Sequence, residues 1–183
     1  MEFRDVLDAA LRILRQVARR RKAPFAIRRA SEEDLDSVFE MYFHERANRF
    51  LYLNPMGKED FGRFFGRMLQ RKHCYIYVRG GKVLGFISCD KHTGQEVHIA
   101  HISPIVVHSG RHGRGIGSEL MRFMLGRLKE DGIKRVELVV NSDNRKALRL
   151  FRKFGFRREA TLKKHAKRKG AYCDDFIMVK FLR

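Results

Sequence analysis

Apolar positions recur every three or four residues at the start of the chain, and this spacing predicts an amphipathic helix. Over residues 5–22, leucine, isoleucine, valine and alanine fall on one side and arginines on the other. Pro24 ends the pattern because proline cannot continue a helix. We therefore expect an N-terminal amphipathic helix over residues 1–23 and one domain over residues 24–183.

The rest of the chain mixes helical and strand-like patterns. Ser31, with Asp34 three residues later, resembles a capping box, so a helix is predicted from there to about Ala47. The other predicted helices carry apolar stripes and cover Lys58–Arg71, Ser118–Lys129 and Asp143–Phe154. The predicted strands are rich in β-branched and aromatic residues and cover Phe25–Arg29, His73–Val78, Lys82–Asp90, Val97–His108, Arg135–Val140, Phe156–Leu162 and Tyr172–Phe181. This order, with an antiparallel meander in the middle, predicts a mixed α/β sheet protein.

Composition narrows the class of protein. Hydrophobic residues make up 44% and charged residues 33% of the 183, which is typical of a globular domain with a real core. No apolar run reaches the roughly 18 residues of a membrane span, and the acidic start of the first helix argues against a targeting peptide. The three cysteines are scattered and lack Cys-x-x-Cys spacing. We expect reduced thiols, no metal site and a cytoplasmic location.

The net charge of +19 predicts an anionic partner, such as nucleic acid, anionic lipid, or an acidic cofactor and substrate. Two segments are especially basic, Arg19–Lys22 in the first helix and Lys163–Lys169 in a predicted loop between the last two strands. We interpret each as a solvated surface, with contact to nucleic acid or the ribosome as the alternative. The apolar stripe of the first helix either covers the sheet or forms a homodimer contact.

A glycine-rich stretch, GRHGRGIG over Gly110–Gly117, lies between a predicted strand and a predicted helix. It is neither a dinucleotide-binding fingerprint nor a P-loop. At a helix start, free backbone N–H groups and the positive end of the helix dipole favour an anion. Glycines let the backbone approach a ligand closely, and Arg111 and Arg114 add positive charge. The sequence therefore predicts a pyrophosphate site here.

The segment His101–Phe156 resembles the GNAT superfamily of acyl-CoA-dependent N-acetyltransferases. The first matching motifs are the strand SPIVVHSG and the loop His112-Gly113-Arg114-Gly115-Ile116-Gly117, where the family has Gln or Arg in place of His112. The second motif lies in NSDNRKALRLFRKFGF and is matched by Asn144, Ala147, Leu150, Gly155 and Phe156. Residues 163–182, KKHAKRKGAYCDDFIMVKFL, also resemble a bacterial branch that acetylates free amino acids or similar small amines.

The resemblance implies a GNAT-like mixed, splayed β-sheet flanked by helices, with acetyl-CoA in the cleft where two strands splay apart. Backbone groups of the strand that precedes the glycine loop would pair with the pantetheine arm, and amides of the loop would bind the pyrophosphate. The implied cofactor-binding residues are Ile105, Val106, Val107, His112, Gly113, Arg114, Gly115, Ile116, Gly117, Ser118, Asn144 and Phe151. Acetyl-CoA and an amine acceptor are the implied partners.

The catalytic acid and base of the family have no counterpart at the corresponding positions of this sequence. The position of its usual tyrosine acid is Phe151, and that of the glutamate base in one branch is Val139. Other members place a Glu or His base on the strand before the loop, eleven residues before His112, which is His101. A histidine titrates near neutral pH, so we predict His101 as the catalytic base, with a merely structural strand histidine as the alternative. His98 and Glu96 are weaker candidates for the base, and Tyr172 and Asp174 are candidates for lining the substrate side.

These expectations predict an N-acetyltransferase that moves an acetyl group to the primary amine of an amino-acid-like small molecule or of a protein N-terminus. The alternative is a catalytically weakened CoA-binding fold that acts as a basic RNA- or ribosome-binding module. Phe151 and Val139 favour the alternative, whereas the intact loop and His101 favour the enzyme. The cationic surface disfavours polyamines and aminoglycosides as acceptors and favours those that carry a carboxylate.

Overall fold

A computed structural model of the chain describes residues 24–44, 50–51, 53–168 and 170–183. The N-terminal helix predicted over residues 1–23 lies outside these ranges. Strands β1–β7 are Phe25–Arg29, His73–Arg79, Lys82–Lys91, Ile99–Val107, Arg135–Asn141, Arg157–Arg168 and Ala171–Phe181. Helices α1–α4 are Leu35–Phe43, Lys58–Arg71, Ile116–Glu130 and Arg145–Lys153.

The seven strands form one sheet in the order β1-β2-β3-β4-β5-β7-β6. Strands β1–β4 are antiparallel neighbours, β4 and β5 are parallel, and β5, β7 and β6 are again antiparallel. The predicted mixed α/β sheet and its central meander are confirmed.

The sheet is split between β4 and β5. These strands pair only over Ile99–His101 and Arg135–Glu137. Beyond that point β4 stays paired with β3 as far as Val107, and β5 stays paired with β7 as far as Asn141. The ladder between β3 and β4 is irregular at Ser88, whose hydroxyl donates to the carbonyl oxygen of Ser103 at 2.5 Å. The splayed sheet implied by the resemblance is confirmed.

Two apolar cores lie on opposite faces of the sheet. One is built from α3, α4 and the sheet, and includes Leu120, Met124 and Phe151. The other is rich in aromatic residues from α1 and α2, among them Phe61 and Phe65, which pack on β2–β4. On that second face, Val139 of β5 is 39% exposed.

Three predicted boundaries are wrong. Helix α1 ends at Phe43, well before Ala47, because His44 already has an extended backbone. Helix α4 begins at Arg145, since Asn144 caps it. The basic run predicted as a loop forms strand β6 as far as Arg168, where it pairs with β7 in a hairpin. Charged residues suit a strand at the edge of a sheet, because both its faces and one side are wet.

Candidate active site

The glycine-rich loop leads from the end of β4 into the start of α3. Gly113 has a φ of +75° and Gly115, the N-cap of α3, a φ of +86°. A Cβ atom at either position would meet nothing within 4 Å. The requirement for glycine is therefore conformational, because other residues adopt a left-handed backbone only at a cost.

Gly117 is required for a different reason. A Cβ atom there would lie 3.3 Å from Leu150 Cδ2 of α4 and 3.7 Å from Val107 Cγ2 of β4. The start of α3 thus packs directly against the end of β4 and against α4. The side chain of His112 also ties the loop to β4, because its Nε2 donates to the Val107 carbonyl at 2.9 Å.

The first turn of α3 offers main-chain donors to an anion. The N–H groups of Ser118 and Glu119 bond to the Gly115 carbonyl at 2.9 and 3.0 Å. Those of Ile116 and Gly117 belong to the part of a helix that has no carbonyl of its own helix to bond to. They lie at the positive end of the helix dipole, where a phosphate binds favourably.

The predicted cofactor-binding residues fall into three groups that meet at this end of the split. Ile105–Val107 lie on the part of β4 that β5 has left, so main-chain groups on that edge face the split. His112–Ser118 form the loop and the first turn of α3. In α4, Asn144 accepts a hydrogen bond from the Ala147 N–H at 3.2 Å and so caps the helix, and Phe151 is buried. Their contacts with the cofactor stay a prediction.

His101 lies at the closed end of the split, within a row of charges that crosses the sheet. Asp90 of β3 and Glu137 of β5 are its direct cross-strand neighbours. Its Nδ1 is 3.8 Å from Glu137 Oε1, Lys72 pairs with Asp90 at 2.6 Å, and Arg135 pairs with Glu137 at 3.2 Å. Opposite charges at paired positions stabilise a sheet.

Burial lowers the pKa of His101 below its ordinary value, although Glu137 acts in the opposite direction. The imidazole is therefore neutral at pH 7. Glu96, one of the weaker candidates for the base, pairs with His92 at 2.9 Å.

A cavity of about 360 Å³ lies on the same face of the sheet as His101, between α1, α2 and β4. It combines apolar walls with three cationic side chains. Its lining residues are Tyr42, Leu51, Leu53, Phe64, Arg67, Met68, Arg71, Lys72, Ser103 and Pro104. Ser103 and Pro104 lie just past the last residue of β4 that pairs with β5, so the cavity adjoins the split.

The two substrate-side candidates lie on the β6–β7 hairpin. Tyr172 is 62% exposed, and the ammonium groups of Lys164 and Lys167 lie 5.9 and 5.6 Å from the centre of its ring. Asp174 accepts a hydrogen bond from the Lys164 N–H at 2.8 Å, which lowers the pKa of the carboxyl. That hydrogen bond gives Asp174 a structural role in the hairpin.

Sequence reasoning missed one polar cluster. Asp175 is fully buried and lies 2.8 Å from Nδ1 of His165 and 3.1 Å from Nδ2 of Asn141. A carboxylate within the otherwise apolar end of β7 was the available signal, because buried charges need partners. Its partners come from β5 and β6, which the sequence alone does not bring together.

Comparison with known proteins identifies the family to which the chain belongs. The sequence model of the Acetyltransferase (GNAT) family matches residues 28–156. The chain belongs to this family. An uncharacterised N-acetyltransferase from Methanocaldococcus jannaschii is 28% identical over 76% of this chain and 63% of its own length. An L-amino acid N-acetyltransferase from Escherichia coli is 35% identical over 55% of this chain and 62% of its own length. The chain thus spans less than two thirds of either relative.

Solved GNAT structures share the fold. A phosphinothricin acetyltransferase of the GNAT superfamily from Sinorhizobium meliloti, in complex with acetyl-CoA, superposes with a TM-score of 0.75 at 20% identity, over 86% of this chain and 88% of that one. In the described part of this GNAT chain, no helix is long and apolar enough to cross a membrane. Nor do its described histidine, cysteine and acidic side chains form a group that could hold a metal ion.

Proposed function

We propose that this GNAT protein transfers an acetyl group from acetyl-CoA to the primary amine of a small, amino-acid-like molecule. The observation that carries the proposal is the split between β4 and β5, with a phosphate-binding loop at its open end and a cavity on the other face of the sheet. A thioester and an amine that approach from opposite faces meet in such a split.

The residues present fit acetyl-CoA, which supplies the acetyl group as an activated thioester. The unpaired edge of Ile105–Val107 orients an amide-containing arm through main-chain hydrogen bonds. The amides of the loop as far as Gly117 bind the pyrophosphate, whereas the Ser118 N–H, which the resemblance had included, already bonds to the Gly115 carbonyl. A main-chain N–H near Val107 stabilises the charge that develops on the carbonyl oxygen.

The cavity supports an acceptor that carries both a carboxylate and an apolar side chain. Leu51, Leu53 and Phe64 give it apolar walls. Lys72 is paired with Asp90, but Arg67 and Arg71 have no ion pair with any residue that the structure describes. Guanidinium groups bind carboxylates in a bidentate manner. The name of the Escherichia coli relative, an L-amino acid N-acetyltransferase, supports the same class.

Proton removal from the ammonium of the acceptor requires a base on the cavity side of the sheet. His101 is the residue that the sequence puts forward, and its pKa, lowered by burial, leaves it able to accept a proton at neutral pH. Val139 cannot act as this base. Phe151, at the position of the family's usual acid, cannot donate a proton to the thiolate of CoA.

The test is thiol release from acetyl-CoA over a panel of amines. We expect apolar L-amino acids to be acetylated, and their methyl esters, which lack the carboxylate, to react at least tenfold more slowly. Polyamines are expected to be poor acceptors, since the site is already cationic. A panel on which no amine releases thiol, together with a salt-sensitive mobility shift on RNA, would favour the basic binding module instead.

The carboxylate site has its own prediction. The double variant Arg67→Gln/Arg71→Gln should raise KM for the amino acid about tenfold or more, because two charge-assisted hydrogen bonds are lost, while the affinity for acetyl-CoA stays unchanged. Arg63→Gln is the matched control, since Arg63 lies on the same helix but pairs with Glu59 and Asp60. An equal loss in the control, or a loss of acetyl-CoA affinity, would contradict the assignment.

A further inference from the structure

A histidine–aspartate pair lies on the β6–β7 hairpin. His165 Nδ1 is 2.8 Å from Asp175 Oδ2, and Asn141 Nδ2 donates to Asp175 Oδ1 at 3.1 Å. Asp175 is 0% exposed, whereas the side chain of His165 is 48% exposed. An ionised carboxylate only accepts hydrogen bonds, so the Nδ1 atom carries the ring proton. Nε2 is then left with a free lone pair, as a proton acceptor requires.

The register of the sheet puts this pair on the acceptor side of the split. Asn141 and Asp175 are direct cross-strand partners, as are Val139 and Ile177. Residues two apart on a strand share a face, so Asp175 follows the exposed Val139 at a distance of about 7 Å along the strands. Val139 stands where the resemblance implied a glutamate base. The histidine–aspartate pair thus lies one step further towards the open end of the split.

The connection between α1 and α2 links the pair to the cavity. The guanidinium carbon of Arg168, three residues after His165 on β6, lies 5.4 Å from the centre of the Phe50 ring. Leu51, the next residue, lines the cavity. The hairpin and the cavity therefore adjoin on one face of the sheet.

His101 occupies a different position. It is the last residue of β4 that pairs with β5, so it lies at the closed end of the split. Its cross-strand neighbours there are Asp90 of β3 and Glu137 of β5. His165 lies beside Asn141, where β5 has already separated from β4.

We infer that Nε2 of His165, oriented by Asp175, takes the proton from the ammonium of the acceptor; this rests on the proposed function. The ammonium gives one proton to Nε2, and the freed lone pair attacks the carbonyl carbon of the thioester to form the C–N bond. Collapse then breaks the C–S bond, and the second proton of the nitrogen neutralises the thiolate. His165 finally releases its proton to water, so each turnover yields one amide, one thiol and one proton.

Several other charged groups surround the imidazole. On β6, β7 and the start of the segment after β5 they are Lys163, Lys164, Lys167, Arg168, Asp143, Asp174 and Asp175. Asp174 pairs with Lys163 at 3.5 Å, and Asp143 pairs with Arg168 at 3.1 Å. Asp175 is thus the carboxylate that holds the imidazole.

The experiment compares His165→Gln with His101→Gln and with a matched control, His92→Gln. His92 also bonds to a carboxylate, that of Glu96. It directly follows β3, which is separated from β6 by β4, β5 and β7 in the sheet. For His165→Gln we expect kcat/KM for the amine to fall about 100-fold or more, with acetyl-CoA affinity unchanged. The pH profile of this variant should also differ from that of the wild type. His165→Ala should regain part of its rate in imidazole, and the control His92→Gln should stay within about threefold of wild type.

Each outcome decides the assignment. A His165→Gln variant that keeps the wild-type rate and pH profile overturns it, and so does a loss confined to His101→Gln. A loss for His165→Gln that appears in KM alone, without a change in the pH profile, overturns it in favour of acceptor binding. A wild-type protein that acetylates no amine overturns the proposed function itself, which distinguishes the two failures. Thermal melting of each variant confirms that it is folded.

Discussion

At the start of α3 three glycines are needed for two physical reasons. Gly113 and Gly115 have a left-handed backbone, and a Cβ atom at Gly117 would be in tight contact with Leu150 of α4. The left-handed residues turn the chain so that successive N–H groups converge, as an anion-binding concavity requires. The close packing of Gly117 fixes this turn relative to the split.

Replacing Gly115 with alanine should weaken acetyl-CoA binding about 5- to 30-fold, because a left-handed alanine costs about 1–2 kcal/mol and the loop relaxes away from its binding conformation. Gly110→Ala is the control, since the φ of Gly110 lies outside the left-handed region and its Cβ would make ordinary contacts with His108 at 3.7 Å. Calorimetry with acetyl-CoA measures both variants. Equal affinities would show that the loop does not bind the cofactor.

At the scale of single elements, the carboxylate of Asp34 stabilises the chain at the start of helix α1. The carboxylate of Asp34 accepts two hydrogen bonds from Arg28 at 2.8 Å, and a third from the Ser31 N–H at 2.9 Å. Burial alone would raise the pKa of Asp34, but these hydrogen bonds outweigh it and hold the pKa below its ordinary value. One carboxylate thereby joins β1 to the helix that covers the second core.

Asp34→Asn should lower the free energy of unfolding at pH 7 by about 1–3 kcal/mol, because the cap and the charge-assisted bonds are weakened. Since the folded-state pKa is below that of the unfolded chain, the stabilisation is complete above about pH 4. It is lost as the pH falls through the folded-state pKa. Denaturation at several pH values measures it. Asp36→Asn, which removes an exposed pair with Lys58, should cost less than about 1 kcal/mol.

How well each element could be predicted depends on how clear its hydrophobic and polar pattern is in the sequence. Helix α2 covers Lys58–Arg71, as predicted, because a strong apolar stripe at helical spacing is compatible with a helix alone. Strand β6 continues through a basic run that resembles a loop, and only its pairing with β7 makes it a strand. The glycine loop could be found because its residues are contiguous. His165 and Asp175 could not, because they are ten residues apart across a hairpin whose register is irregular between Leu162 and Ala166.

In the described part of the molecule as a whole, β4 pairs with β5 only over Ile99–His101 and Arg135–Glu137, although both belong to one seven-stranded sheet. Acetyl-CoA should therefore slow amide exchange in peptides that cover residues 103–118 and 136–144, where main-chain groups face the split. Peptides from β1 and β2 are the internal control, because their ladder is continuous. Hydrogen-exchange mass spectrometry measures both. Protection spread equally over the sheet, or confined to α1 and α2, would contradict this position of the cofactor.

The split also bears on how the protein associates with other chains. A sheet that opens in its middle has two additional edges, and exposed edges are templates on which strands of other chains can add. A ligand arm with amide groups satisfies such an edge as a short strand would, without extending it. Acetyl-CoA bound in the split, as proposed, would therefore protect the sheet as well as serve the reaction. Newly made chains that lack it would be the ones most prone to associate.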